Sequence, residues 1–155
     1  MNQQPDLGAI ARPIIDSNMY MVIGTADESG QPWVSPVYYA SAGYTEFFWV
    51  SSPEAKHSRN IAIRPQVSIV IFNSQVPIGT GQGVYMSAVA EQLTGIDLDR
   101  AIEIYSRTSI GHGGHEWKQQ DVQAPSLYRL YRATVSEHWI LDPAGHPDHR
   151  TPVTV

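Results

Sequence analysis

The most constraining feature of the sequence is a series of short runs rich in β-branched and aromatic residues, separated by residues that form turns. Such runs are typical of β-strands, and connections of a few residues join antiparallel neighbours. The runs lie at residues 19–26, 32–40, 45–50, 67–72, 84–93 and 127–141. Helical patterns are inserted between them and do not alternate with them. The chain is therefore predicted to be mainly β (α+β), a six-stranded antiparallel barrel with a few short helices.

Turn and helix signals agree with this prediction. Asp27-Glu-Ser-Gly30 follows the first run and suits a type I turn with a bulge, which predicts a hairpin. Pro36 interrupts the second run and is expected at an edge or a bulge. Amphipathic spacing predicts a helix over 6–15, which Pro13 should end or kink, and another over 97–107.

Length and composition limit the possible functions. The 155 residues are predicted to form a single domain, 1–155, with the helix at 6–15 and the tail at 142–155 at its periphery. The net charge of −5 argues against a nucleic-acid partner, and the absence of cysteine excludes disulfides and thiolate metal sites. The sequence has neither a basic leader nor an apolar run long enough to cross a membrane, so we expect a cytoplasmic protein.

The segment Trp49–Asn60 joins an apolar strand directly to the predicted start of a helix over 53–64. Ser52 occupies the position of a helix N-cap, and a proline follows at the first helical position. Lys56 and His57 come one turn later. Free N–H groups at a helix start, next to cationic side chains, form a site for an anion such as phosphate. A capped surface helix with solvated charges would show the same pattern, and these residues alone leave both interpretations open.

No other pattern indicates a catalytic or metal centre. Four histidines fall in glycine- or proline-rich segments, at His112, His115, His146 and His149. They lack the matched spacing of a metal-ligand set, and no serine lies in a nucleophile elbow. The glycine-rich segment 73–83 has neither dinucleotide-loop nor P-loop spacing, so it is predicted to be a turn. The long polar segment 108–125 is predicted to be a loop. We therefore predict no catalytic side chain and no metal.

Three segments in order resemble the flavin-binding split β-barrel of the pyridoxamine 5′-phosphate oxidase-like superfamily. They are DESGQPWVSPVY at 27–38, FFWVSSPEAKHSRN at 47–60 and RPQVSIVIF at 64–72. The similarity continues through Gly81–Val84 and the Tyr-Arg-Ala run at 131–133. It implies a split barrel that binds FMN at the interface of a homodimer. The protein would then be an FMN-dependent oxidoreductase in which the flavin performs the chemistry.

The resemblance also implies individual roles. Ser35, Pro36 and Val37 would run along the flavin, and Trp49, Val50 and Ser51 would lie beside its ribityl phosphate. Ser52 and Lys56 would bind the phosphate, helped by His57 or Arg59, because the arginine common in the family is replaced by Ala55. Gln82 would reach the ring from the partner subunit.

The substrate side departs from the family pattern. True pyridoxamine 5′-phosphate oxidases carry a basic residue at the position of Ala40, so the resemblance implies a different small-molecule substrate. Arg107 resembles a substrate-phosphate arginine, and the long loop 108–125, with Arg107 and Trp117, is the candidate for the substrate side.

Three alternatives remain open at this stage. A deazaflavin could replace FMN, with its longer acidic tail held by Arg59 and Arg64. The protein could carry or sense a flavin without catalysis. A haem-binding barrel could use a loop histidine such as His112 or His115.

Overall fold

A computed structural model describes residues 5–155, and its framework is one antiparallel sheet. The strands are β1 Tyr20–Ala26, β2 Pro32–Tyr38, β3 Ala40–Ala42, β4 Glu46–Ser51, β5 Gln66–Phe72, β6 Gly83–Gln92, β7 Arg129–Leu141 and β8 Arg150–Val153. The helices are α1 Gly8–Ser17, α2 Lys56–Ile63 and α3 Gly95–Gly111, with a short 3-10 turn at Gln119–Val122. The strand order is β2-β1-β5-β6-β7-β4-β3, and β8 also pairs with β7.

The chain itself closes this sheet into a barrel. Only Tyr39 separates β2, which pairs with β1 at one end of the strand order, from β3, which pairs with β4 at the other end. The buried Tyr39 hydroxyl donates a hydrogen bond to the Ile15 carbonyl and ties this bend to α1. The predicted mainly β split barrel with short helices is confirmed. Pro36 lies in β2, at the end of the strand order, as its missing N–H requires.

Alternating burial along the strands fills the barrel interior. Residues such as Met21, Ile23 and Ile69 face inward, and each fully buried aliphatic side chain contributes about 1.5–3 kcal/mol. Helices α1 and α2 lie at opposite ends of β1. Helix α3 packs on the outside, where its apolar face and the outward side chains of β3, β4 and β7 form a second core. The outer faces of β1, β5 and β6, and of β2 as far as Pro36, carry none of the three helices formed within residues 5–155, whereas Tyr38 at the end of β2 packs against α3.

Within residues 5–155 the structure corrects the predicted number of strands from six to eight. One additional strand is β3, which continues the predicted run 32–40 beyond the bend. The other is β8, in the tail 142–155 that was predicted to be peripheral. This strand pairs with the part of β7 that extends past β4, and Val153 and Val155 pack against the main core.

Helix boundaries also differ from those predicted. Helix α1 continues through Pro13 to Ser17, since Ile14 and Ile15 pack against the barrel beyond the proline. Helix α3 extends to Gly111, so the predicted loop 108–125 begins one turn later. No helix in residues 5–155 is both long and apolar enough to span a bilayer.

Candidate functional site

The junction between β4 and α2 differs from the predicted one and leaves the helix start open. Helix α2 begins at Lys56, and its extended N-cap residue Ala55 makes no side-chain capping bond. Ser52 does not cap the helix, because it belongs to the preceding turn. Its hydroxyl oxygen accepts from the Glu54 N–H at 3.1 Å, and its carbonyl accepts from the Ala55 N–H at 3.1 Å. The first N–H groups of α2 therefore lack a side-chain acceptor, at the positive end of the helix dipole.

The basic residues of this segment are held differently from one another. Lys56 is exposed, with its Nζ 4.4 Å from the ring centre of Trp33 on β2. The guanidinium of Arg59 forms an ion pair with Glu54. His57 is half-buried and its Nε2 lies 2.9 Å from the Ser51 hydroxyl. Burial lowers the pKa of His57, so its neutral form is favoured. Lys56 is the cation best placed to meet an anion at the helix start.

Strand alternation divides the predicted cofactor residues between two faces. The side chains of Ser35, Val37 and Trp49 point into the barrel and are 8%, 8% and 0% exposed. Those strand positions can offer a ligand only their backbone groups. Pro36 and Val50 point outward, Pro36 being exposed and Val50 half-buried beside the α3 core. Because α3 covers most of the outward face of β4, the surface that a planar ring could contact is the outward side of β2 at Pro36 together with the half-buried Val50.

Trp33 is a site residue that the sequence analysis did not single out. Its indole is 44% exposed and lies under the Lys56 ammonium. A cation over an exposed aromatic face is stabilised by about 0.5–1 kcal/mol, so Trp33 helps to orient Lys56. An aromatic residue three positions after the Asp27–Gly30 hairpin turn was the available signal, but its proximity to α2 depends on barrel closure.

Gln82 immediately precedes β6, and both the nitrogen and the oxygen of its side-chain amide are hydrogen-bonded within the chain. Its Nε2 donates to the Leu141 carbonyl at 3.1 Å, and its Oε1 accepts from the N–H groups of Leu141 and Gly83 at 2.8 and 2.9 Å. The amide joins the end of β7 to the start of β6. To reach a ring on a partner subunit it would have to leave these bonds.

The proposed substrate residues lie on and beside α3. Arg107 is exposed on the helix. Trp117 packs edge-on against Tyr105, with ring centres 5.8 Å apart, and the Trp117 backbone N–H donates to the Ser106 hydroxyl at 2.8 Å. Burial raises the pKa of Tyr105, which keeps this hydroxyl neutral. The half-buried Trp117 thus fixes the loop after α3 against the helix.

A groove of about 490 Å³ opens on the outer face of the sheet that the helices leave uncovered. Its walls include Val22, Val34, Val70, Tyr85 and Trp139, with Arg150 at its margin. Val34 is 67% exposed, although its side chain is wholly apolar. The groove is therefore an exposed and largely apolar part of the sheet surface.

The tail histidines lie close to one carboxylate and to each other. Nδ1 of His146 is hydrogen-bonded to the Asp142 carboxylate, and the His146 ring centre lies 6.3 Å from that of His149. Residues 5–155 contain no group of three or more candidate side chains that could hold a metal ion.

Comparison with known proteins identifies the family. The family model for pyridoxamine 5′-phosphate oxidase matches residues 9–140. No curated protein matches the chain.

Similar solved structures share the fold at low sequence identity. A haem-binding protein from Mycobacterium smegmatis is 21% identical, with a TM-score of 0.74 over 98% of this chain and 59% of its own length. This chain thus spans less than two thirds of that protein. HutZ, a haem storage protein from Vibrio cholerae, is 19% identical, with a TM-score of 0.65 over 86% of this chain and 92% of its own. A pyridoxinephosphate oxidase-family protein from Clostridium acetobutylicum, related to general stress protein 26, is 12% identical, with a TM-score of 0.61 over 93% and 91%.

Proposed function

Because the chain belongs to the pyridoxamine 5′-phosphate oxidase family, we propose that it is an FMN-dependent oxidoreductase acting on a small molecule. The observation that carries this proposal is the uncapped start of α2 with Lys56 beside it. Free N–H groups and a lysine ammonium are the groups that bind phosphate in proteins. The outward face of β2 and β4 offers a planar ring an apolar surface at Pro36 and Val50.

Each part of this site would have its own task. Lys56 and the first N–H groups of α2 would hold the FMN phosphate, while Trp33 orients the ammonium. Ser51 and neutral His57 would supply hydrogen bonds close to the phosphate without adding a charge. The residues of β2 would position the ring and exclude water from one of its faces. When bound, FMN supplies the hydride or electron transfer, and the protein supplies position and electrostatics.

The substrate is proposed to differ from pyridoxamine 5′-phosphate. Ala40, which stands where the family's substrate-binding base is expected, is 1% exposed and is packed under α3. A long cationic side chain could not be accommodated there without opening the second core. Arg150 does not compensate, because its guanidinium lies 4.3 Å from the ring centre of Tyr85 on the outer sheet face.

We also propose a homodimer with the cofactor at the subunit interface. The uncovered apolar face of β2, β1, β5 and β6 supports this proposal, since a second copy would remove it from water. Phe72 on the same face is 48% exposed, and Ile78 in the following loop is fully exposed, both unfavourable for a monomer.

The experiment that tests the proposal is an absorbance spectrum of the freshly purified protein, followed by mass analysis of the released cofactor. FMN in the supernatant after denaturation supports the proposal. Release of a deazaflavin would mean that the cofactor is a deazaflavin and not FMN. Bound FMN without turnover of any reductant–acceptor pair would indicate a flavin carrier. A protein that neither contains nor binds FMN contradicts the proposal.

Haem binding is a second candidate, favoured by the haem-binding proteins among the similar structures. The side chains of His112 and His115 are exposed near the end of α3 and could provide an axial ligand. A Soret band after titration with haemin, lost in the double variant of these two histidines, would support this candidate. Unchanged haemin binding in that variant would exclude these histidines as ligands.

A further inference from the structure

One pair of side chains that the cofactor assignments above leave out is held in a defined geometry. The Tyr38 hydroxyl of β2 lies 2.6 Å from Nδ1 of His112, which is 74 residues away in sequence. Their ring centres are 5.8 Å apart at an interplanar angle of 84°. Nδ1 is thus engaged by Tyr38, while His112 as a whole remains exposed to solvent.

The His-Gly-Gly-His motif explains how His112 is positioned. His112 ends α3, and its N–H donates to the carbonyls of Thr108 and Ser109 at 3.2 and 3.1 Å. Gly113 adopts φ +77°, and Gly114 approaches so closely that an added Cβ would lie 2.7 Å from the Ser109 Oγ. Both glycines are required for the chain to leave the helix this sharply.

Tyr38 is fixed by aromatic neighbours. Its ring packs edge-on against Tyr20 of β1 and Tyr105 of α3, with ring centres 6.0 and 5.8 Å away. These tyrosines and His112 are the titratable groups that face it from the elements packed around it. Burial, with a smaller effect of Tyr20, raises the pKa of Tyr38, so its hydroxyl stays protonated. A protonated Tyr38 hydroxyl can donate to Nδ1 of a neutral His112, whose ring proton then lies on Nε2.

The pair keeps its hydrogen bond in both charge states of the imidazole. When His112 is neutral, the Tyr38 hydroxyl donates to Nδ1. When His112 is cationic, Nδ1–H donates to the Tyr38 oxygen, and Nε2–H is the proton available to another molecule. Because His112 is exposed, it can recover that proton from water.

We propose that His112 is the acid–base residue of the proposed flavin site and that Tyr38 is its positioning residue. This inference rests on the proposed function. Tyr38 follows Pro36 by two residues on the same outward face of β2, about 7 Å along the strand. The substrates would be compounds that gain or lose a proton on oxygen or nitrogen together with a hydride. A quinone would receive a hydride from the reduced anionic flavin and a proton from His112 Nε2, leaving hydroquinone, oxidised flavin and neutral imidazole.

The test uses the FMN-loaded protein, photoreduced without oxygen, with menadione as the quinone probe. General acid catalysis contributes about 10²–10⁴-fold, so His112→Gln should slow menadione reduction by at least about 100-fold and remove the pH dependence that wild type shows. Tyr38→Phe should slow it by about 2- to 10-fold, as expected for one lost hydrogen bond. FMN affinity should remain unchanged in both variants. His146→Gln is the matched control, because His146 also has a partner at Nδ1 but lies in the tail.

A second measurement needs no flavin. Nitrogen NMR of the apo-protein at alkaline pH should show His112 as the Nε2–H tautomer in wild type and as a mixture in Tyr38→Phe. A wild-type Nδ1–H tautomer would overturn the pairing. Wild-type rates and pH dependence in FMN-loaded His112→Gln would overturn the acid–base role while leaving the proposed function intact. A wild-type protein that binds no FMN would instead contradict the proposed function and, with it, this role.

Discussion

Replacing Lys56 by alanine tests the proposed phosphate site most directly. A charge-assisted hydrogen bond contributes about 1.5–3 kcal/mol, so Lys56→Ala should raise the FMN dissociation constant about 10- to 150-fold. This range applies if the ammonium stays over Trp33, 4.4 Å from the ring centre, when the phosphate binds. If Lys56 must leave the indole, about 0.5–1 kcal/mol is lost on binding, and the net effect falls to about 0.5–2.5 kcal/mol, or about 2- to 70-fold.

Substituting Trp33 distinguishes these two cases. If Lys56 stays on the indole, Trp33→Leu should weaken FMN binding, because the ammonium loses its support. If Lys56 leaves the indole, the same substitution should tighten binding. In either case Trp33→Leu should have little effect once Lys56 is absent, which the double variant measures.

Arg59→Ala is the matched control, since it removes one positive charge from the same helix. The Arg59 guanidinium is already paired with Glu54, so its loss should change FMN affinity much less. The assay is quenching of flavin fluorescence at low and high salt, and the Lys56 effect should shrink as salt screens the charge. Equal losses in the two variants, or no loss in Lys56→Ala, would refute the assignment of the phosphate to the start of α2.

Three further predictions concern pH, strand pairing and assembly. Burial lowers the pKa of His57 from its ordinary value of 6.5. Between the lowered pKa and 6.5 the unfolded chain therefore binds more protons at this residue than the folded chain does. The free energy of unfolding should fall as pH drops from 6.5 toward the lower pKa of the folded state. The melting temperature of His57→Gln should change less than that of wild type over this pH range. Identical dependence of the two melting temperatures on pH would contradict this prediction. Gln82→Ala should lower the free energy of unfolding by roughly 1–3 kcal/mol in urea denaturation without any flavin, because the Leu141 N–H and carbonyl lose their hydrogen-bond partners. An unchanged urea midpoint would refute the structural role of Gln82 between β6 and β7. Val34→Asp should convert a dimer to a monomer in light-scattering chromatography, whereas the exposed Ile96→Asp on α3 should not; a wild-type monomer would contradict the proposed interface.

Local patterns were sufficient to predict most of the framework. The six main strands occur where β-prone runs were recognised, because alternation along a strand is written in neighbouring residues. The turn at Asp27–Gly30 formed as predicted, with the Gly30 N–H donating to the Asp27 carbonyl at 3.0 Å and Gly30 at φ +88°. The start of α2 was predicted three residues too early. Ser52 has the same chemistry in a turn as in a helix cap, and local sequence does not separate the two.

Residues a few positions apart are enough to encode the strands, the hairpin and the order of segments that identifies the family. Three other features depend on tertiary packing: which side chains of a strand meet solvent, the bridge that Gln82 forms between β6 and β7, and the contact of Tyr38 with His112. The first outcome depends on which face of the closed barrel is buried, and the other two on contacts between segments distant in sequence. Barrel closure and the packing of α3 create those contacts, and both result from burying apolar surface collectively, which no short stretch of sequence specifies.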